Sequence, residues 1–202
     1  MIISALVQRY KDKPSAPVGW QVREVSYALD IDEEGNLLGI VALETAEDKK
    51  TKKRKLTLPL EPLGRTSGIK GAFLCDNGGY FLAVDPKRGD EKFKAAGDLH
   101  REVLCDADTL VAKAILAYFD KGVPTNWEHF IDGEDTAKAR EIAAKAKFVF
   151  QVNGRFADTK NQTLCDAWNA YYLKSIIKQP QSNFLPFCKC STITQAQMHR
   201  TQ

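Results

Sequence analysis

Near Asp85-Pro86 the hydrophobic spacing of this 202-residue chain changes character, and that change constrains the fold more than any other feature. Ahead of it, β-type residues recur in short, partly alternating runs. Val22, Val25, Tyr27, Leu29 and Ile31 are followed by the turn formers Glu33-Glu34-Gly35-Asn36 and by Leu37 to Leu43, which predicts an antiparallel hairpin. Glu47 to Lys55 is charged throughout and predicts a long exposed connection. Leu56-Thr57-Leu58-Pro59-Leu60 then alternates, its proline restricting it to an edge or a strand end. Tyr80 to Val84 predicts a further short strand. Behind the break, Phe93, Ala96, Leu99, Val103 and Leu104, then Leu110, Val111, Ala114, Ile115, Ala117 and Tyr118, lie at helical spacing until Gly122 and Pro124 end it. They predict an antiparallel helix pair. A third helix over 137–146, a strand over 148–152 and a fourth helix over 163–177 follow, and a short helix over 2–11 precedes Pro14. Strands first, helices after and one late strand make an α+β fold.

Between the strand-like runs lies Arg65 to Tyr80, where glycines, small hydroxyls and two basic residues crowd together. Its five glycines, counting Gly64, permit close backbone approach, so main-chain N–H groups can converge on an anion while Arg65 and Lys70 add charge. The alternative is a tight connection between strands, with Asn77-Gly78 an ordinary hairpin turn. A second charged feature is Lys49-Lys50-Thr51-Lys52-Lys53-Arg54-Lys55, six basic residues in seven with no aromatic among them. It suits a phosphate-tracking arm, and equally a solvated loop balanced by Glu44, Glu47 and Asp48. The net charge of +3 does not by itself announce a nucleic-acid partner.

Enzyme signatures are missing from the pattern. There is no complete Walker loop, no His-Glu-x-x-His and no Gly-x-Ser-x-Gly. Asp30, Asp32, Glu33 and Glu34 cluster as a metal nuclease site would require, yet at a hairpin turn such carboxylates are ordinarily solvated. His100 and His129 lie beside apolar helical positions and read as helix-surface or satisfied core residues. Trp20, Trp127 and Trp168 read as core anchors. The five cysteines, Cys75, Cys105, Cys165, Cys188 and Cys190, have neither disulfide nor zinc spacing, which suggests reduced thiols in a cytoplasmic protein. No segment has the length of a signal peptide or a membrane span, and neither a metal nor a cofactor is implied.

Several blocks, in order and spacing, carry a resemblance. Pro17-Val18-Gly19-Trp20, Val25 to Leu29, Arg65 to Ile69 and Phe73 to Asn77 resemble the N-terminal region of the large subunit of the subtype I-C CRISPR surveillance complex, Cascade. Phe93 to Leu104, with Leu99-His100, and Asn169 to Leu173 agree with it. The resemblance covers residues 1–185, β-rich over 1–86 and α-rich over 87–185. Members of that family are longer, with a helical C-terminal part. Residues 186–202 do not resemble it, which suggests truncation and a poorly packed tail.

The resemblance implies a non-enzymatic, antiviral nucleic-acid-binding subunit. Guide RNA reads sequence in such complexes, while the large subunit inspects the protospacer-adjacent motif on duplex DNA and helps R-loop formation. Implied partners are duplex target DNA, the crRNA 5′ handle, other Cascade backbone subunits and a recruited helicase-nuclease. Carried onto this chain, Arg65, Thr66, Ser67, Gly68 and Lys70 would contact phosphates, and Asn77 with Gly78 and Gly79 would approach base edges in the minor groove. Lys49, Lys50, Lys52, Lys53, Arg54 and Lys55 would track the nucleic-acid backbone. The contrasting expectations are a docking protein that binds the guide-RNA-holding subunit without reading DNA, and a metal-dependent nuclease at Asp30 and Asp32.

Overall fold

The computed structural model describes residues 16–43, 45–47, 50–62, 68–131 and 135–178, and no side chains for 45–47, 50–52 and 177–178. The expected helix over 2–11, the candidates Lys49, Arg65, Thr66 and Ser67, and the tail from 186 lie outside the described residues.

The expected hairpin forms from Tyr27 onward. Strand β2 (Tyr27–Ile31) pairs antiparallel with β3 (Leu37–Ala42), turning through Gly35 at φ +79° while an Asp32 carboxylate oxygen accepts the Asn36 N–H at 2.7 Å. Its first part is a separate strand, β1 (Trp20–Val25), which leaves at Ser26 to pair antiparallel with β6 (Arg54–Pro59). Pro59 stands at the end of β6, where a missing N–H breaks no inner ladder. The charged connection contains a two-stranded ribbon, β4 (Thr45–Glu47) with β5 (Lys50–Lys52), so it is not a plain loop. Strand ladders join backbone groups, which charged side chains leave available.

The late strand, β8 (Lys147–Val152), lies inside the main sheet, whose order is β3-β2-β8-β7 with β9 (Arg155–Phe156) pairing the end of β8. It runs parallel to β2, with Leu29 opposite Phe150, and antiparallel to β7 (Cys75–Asn77). Phe148, Val149, Phe150 and Val152 are all buried, as expected of a strand covered on both faces. Alternation divides the sheet's contacts. Ala28, Cys75 and Val149 meet Val25, Leu56 and Leu58 of the β1/β6 ribbon. Leu29, Ile31, Phe148 and Phe150 meet the helices. The result is ribbon, mixed sheet, helical layer.

The helical layer matches the spacing read from the sequence: α2 (Gly89–Leu104), α3 (Leu110–Lys121), α4 (Thr136–Lys145) and α5 (Gln162–Lys178). Gly97 lets α2 approach α3 closely, since a Cβ there would stand 3.3 Å from the Phe119 Cβ. Trp20, Trp127 and Trp168 are buried core residues. The expected strand over 80–84 is replaced by one helical turn, α1 (Gly78–Phe81). A short apolar run does not distinguish strand from buried helix. Here the Asn77 side chain caps the turn, and the Tyr118 hydroxyl donates to the Phe81 carbonyl at 2.7 Å.

Candidate nucleic-acid interface

The stretch from Glu61 to Cys75, which carries the first part of the glycine-rich segment, is held at both ends by one arginine. Arg23 lies on β1 in alternation with Val25, so it faces inward and is 9% exposed. Its guanidinium donates to the Cys75 carbonyl at 3.0 Å and pairs with Glu61, whose carboxylate also accepts from Lys147 Nζ at 2.9 Å. Entry and exit of the segment are thereby fastened to β1 and β8. An arginine hydrogen-bonded to a buried carbonyl is not easily replaced, because the carbonyl would lose its partner.

Within the segment, the part from Gly71 onward is built into the core. A Cβ on Gly71 would stand 2.7 Å from the Ala96 Cα, so the backbone lies directly on α2. Asp76 is fully buried, and its two carboxylate oxygens accept the N–H groups of Ala72 at 2.9 Å and Asn77 at 2.8 Å. Leu74 adopts φ +59°, a conformation costly for a branched side chain. Its N–H donates to His100 Nε2 at 3.1 Å, which holds it there. Since Nε2 accepts, the ring proton sits on Nδ1 and is donated to the Ala96 carbonyl at 2.8 Å. Burial pushes the His100 pKa down to about 4, keeping the ring neutral. Phe73 stacks on Trp168 at 5.5 Å and on the other side meets His100.

What remains outward is the middle of the segment. Gly68 and Lys70 are exposed and Ile69 is half-buried, and a Cβ on Gly68 would meet nothing within 4 Å. Asn77 differs from the expected hairpin turn. Its Oδ1 accepts the Gly79 N–H at 2.9 Å as the cap of α1, while its Nδ2 makes no hydrogen bond among the described residues. Gly78 and Gly79 are buried, and a Cβ on Gly78 would stand 2.6 Å from the Ala143 carbonyl oxygen. Internal packing therefore requires glycine at 78.

Of the basic run, Lys53, Arg54 and Lys55 are exposed where β6 begins. Lys55 lies 3.9 Å from Glu24, and the Arg54 guanidinium sits 4.6 Å over the Phe156 ring. Lys50 and Lys52 fall on β5. The carboxylate cluster at the β2–β3 turn is occupied by local bonds: Asp30 accepts from Gln151, Asp32 from Asn36 and Glu33 from Asn153. Those bonds hold the Asp32 pKa below the usual carboxylate range, the Asn36 side chain contributing most. Among the described residues no three His, Cys, Asp or Glu side chains group as metal ligands. Cys75, Cys105 and Cys165 are free thiols, and burial pushes the Cys75 pKa up to about 11. No described helix is long and apolar enough to cross a membrane.

Arg23 and Asp76 escaped the sequence reading. Arg23 had a signal, its inward register with Val25, but Asp76 had none, because its burial depends on a helix cap and a strand that local periodicity does not reveal.

The curated proteins contain no match to the chain. A family model described as CRISPR-associated protein (Cas_Csd1) matches residues 4–191, a span that includes both ends of the clamped segment, the sheet and the helical layer. With all but its extreme ends matched, the chain belongs to the CRISPR-associated Csd1 family, the large-subunit family of type I-C systems.

Proposed function

We propose that this chain is a non-catalytic nucleic-acid-binding subunit of a type I-C interference complex, inspecting the protospacer-adjacent motif on duplex DNA and helping the R-loop to form. The observation that carries the reading is the exposed Gly68–Lys70 stretch mounted on a rigid base, with Leu74, Asp76 and Gly71 fixed in the core behind it. A loop that inspects DNA must meet the duplex in one conformation, and an anchored base reduces the ordering it undergoes on binding. Arg65, Thr66, Ser67, Gly68 and Lys70 contact phosphates. Asn77 offers its Nδ2 donors to minor-groove acceptors of an A·T pair, its Oδ1 being held by the cap. Lys49 to Lys55 track the backbone of the duplex or of the displaced strand, and the complex supplies the guide RNA, the other subunits and the recruited helicase-nuclease.

An assembled complex tests this reading. Asn77→Ala is expected to reduce discrimination between a correct and an altered adjacent motif. Charge reversal across Lys52 to Lys55 is expected to weaken binding of all duplexes alike. Unchanged discrimination would remove base reading from Asn77.

Docking on the guide-RNA-holding subunit without reading DNA is favoured by Leu173 and Ile176, which are exposed on α5. A gel shift of the chain against short duplexes at low and moderate salt separates the two readings, since a docking protein gives no salt-dependent shift.

A further inference from the structure

We propose that a second phosphate-contact site lies in the groove between the start of β6, the β8–β9 hairpin and the turn entering α5, and that it takes the sugar-phosphate backbone of a nucleic-acid strand. The site rests on the nucleic-acid part of the proposed function and extends it to Arg155 and Lys160. The groove has a volume of about 430 Å³, and Arg54, Arg155 and Lys160 stand around it with Val111, Gly154 and Phe156.

The cations of this groove contrast with several of the helical layer, which sit beside carboxylates: Lys94 with Asp98, Arg101 with Asp120, Arg140 with Glu128, Lys145 with Glu141. Arg54, Arg155 and Lys160 are exposed and have no ion-pair partner among the described residues. The one carboxylate in the lining, Asp158, is 4% exposed, and an oxygen of it accepts the Lys160 backbone N–H at 2.9 Å. It offsets at most one of three positive charges. Like charges gathered around one groove repel, and a polyanion relieves that repulsion.

The groove also offers the geometry of a strand-binding surface. Phe156 holds the Arg54 guanidinium through its ring, so no carboxylate competes for the N–H donors that suit a phosphate bidentately. Gly154 has φ +73° and open space around its Cα, so a ligand can come close to the backbone. Lys53, exposed just ahead of β6, adds a further positive charge next to Arg54 in the chain. The half-exposed Phe156 and Val111 supply apolar surface for a ribose or a base.

The test uses the full chain with a labelled short duplex and a labelled single-stranded RNA of the same sequence, titrated across a salt series. Arg155→Gln with Lys160→Gln is the test variant. Lys113→Gln with Lys145→Gln, which removes the same charge from the helical layer, is the control. If both groove residues meet phosphates, the slope of log affinity against log salt becomes shallower by about 1.8 on the duplex or about 1.4 on the single strand. The substrate that shows the change identifies DNA or RNA as the occupant. Unchanged slope and affinity on both substrates overturn the proposal, as does an equal loss in the control, which would reduce the effect to net charge. Inorganic phosphate that displaces the strand at millimolar concentration also overturns it, by making the groove a small-anion site. Wild-type chain that binds neither substrate overturns this site and the proposed function together. Binding lost in Lys53 and Lys55 variants but intact in the groove variant overturns this site alone. Matching thermal melts of wild type and variants confirm that folding is unaffected.

Discussion

The segment from Gly71 to Gly79 and the groove around Arg54, Arg155 and Lys160 make opposite uses of residues with the same functional look. In the first, glycines, an asparagine, an aspartate and a backbone N–H are engaged inside the fold: Gly78 against Ala143, Asn77 as a cap, Asp76 on two N–H groups and the Leu74 N–H on His100 of α2. In the second, three cations from two distant chain segments gather with one buried carboxylate among them. The contrast teaches that residue type alone does not mark a binding surface. What marks it is chemistry left unsatisfied by the protein's own groups.

Five experiments break or sharpen that contrast. The largest effect belongs to the anchored region. Trp168 stacks on Phe73 and donates its indole N–H to the Gly19 carbonyl at 2.8 Å, so Trp168→Ala is expected to cost about 3–5 kcal/mol in urea unfolding. A cost below about 1 kcal/mol would mean that the segment is not built into the core.

Next comes pH. His100 takes a proton near 6.5 when unfolded and near 4 when folded, so the unfolded chain binds more protons between those values and stability falls as pH falls through them. At about 1.36 kcal/mol per pH unit the loss reaches about 3 kcal/mol. Urea midpoints at neutral pH and near pH 4 measure it, and His100→Gln should flatten this dependence.

Arg23→Met leaves the Cys75 carbonyl without its guanidinium donor and is expected to cost about 1–3 kcal/mol. If the clamped segment inspects DNA, duplex affinity of the variant falls too, whereas unchanged affinity separates the clamp from binding. Asn77→Ala removes a helix cap, and a loss of about 1 kcal/mol in thermal unfolding is expected. The smallest stability effect belongs to the groove. Arg155→Gln with Lys160→Gln should stay within about 0.5 kcal/mol of wild type, since neither side chain is packed. A large loss would show that these cations support the fold.

Much of the fold was legible because its signals are local. Helices α2 and α3 follow from apolar spacing, α4 from a run rich in Ala, Lys and Glu, and the β2–β3 hairpin from its turn residues. The errors fall where a long-range partner decides. Residues 80–82 are equally apolar in strand or helix, and the helical outcome depends on the Asn77 cap and on Tyr118 contributed from α3. The charged connection hides a ribbon, since backbone pairing leaves little trace in side-chain type. At the candidate interface, the sequence marked Gly68, Lys70 and the basic run Lys49 to Lys55, but offered no reason to place Arg155 and Lys160 beside Arg54.

By itself, the sequence determined the class of fold, the β2–β3 hairpin, the four longer helices and the family, because periodicity, turn chemistry and residue blocks are written along the chain. Only the tertiary structure decided that β8 lies parallel beside β2, that Arg23 clamps both ends of a segment far from it in sequence, and that Arg155 and Lys160 share one groove with the distant Arg54. Those arrangements are set by which buried faces can cover one another. Burial is a property of the packed chain as a whole, and no local stretch of residues carries it.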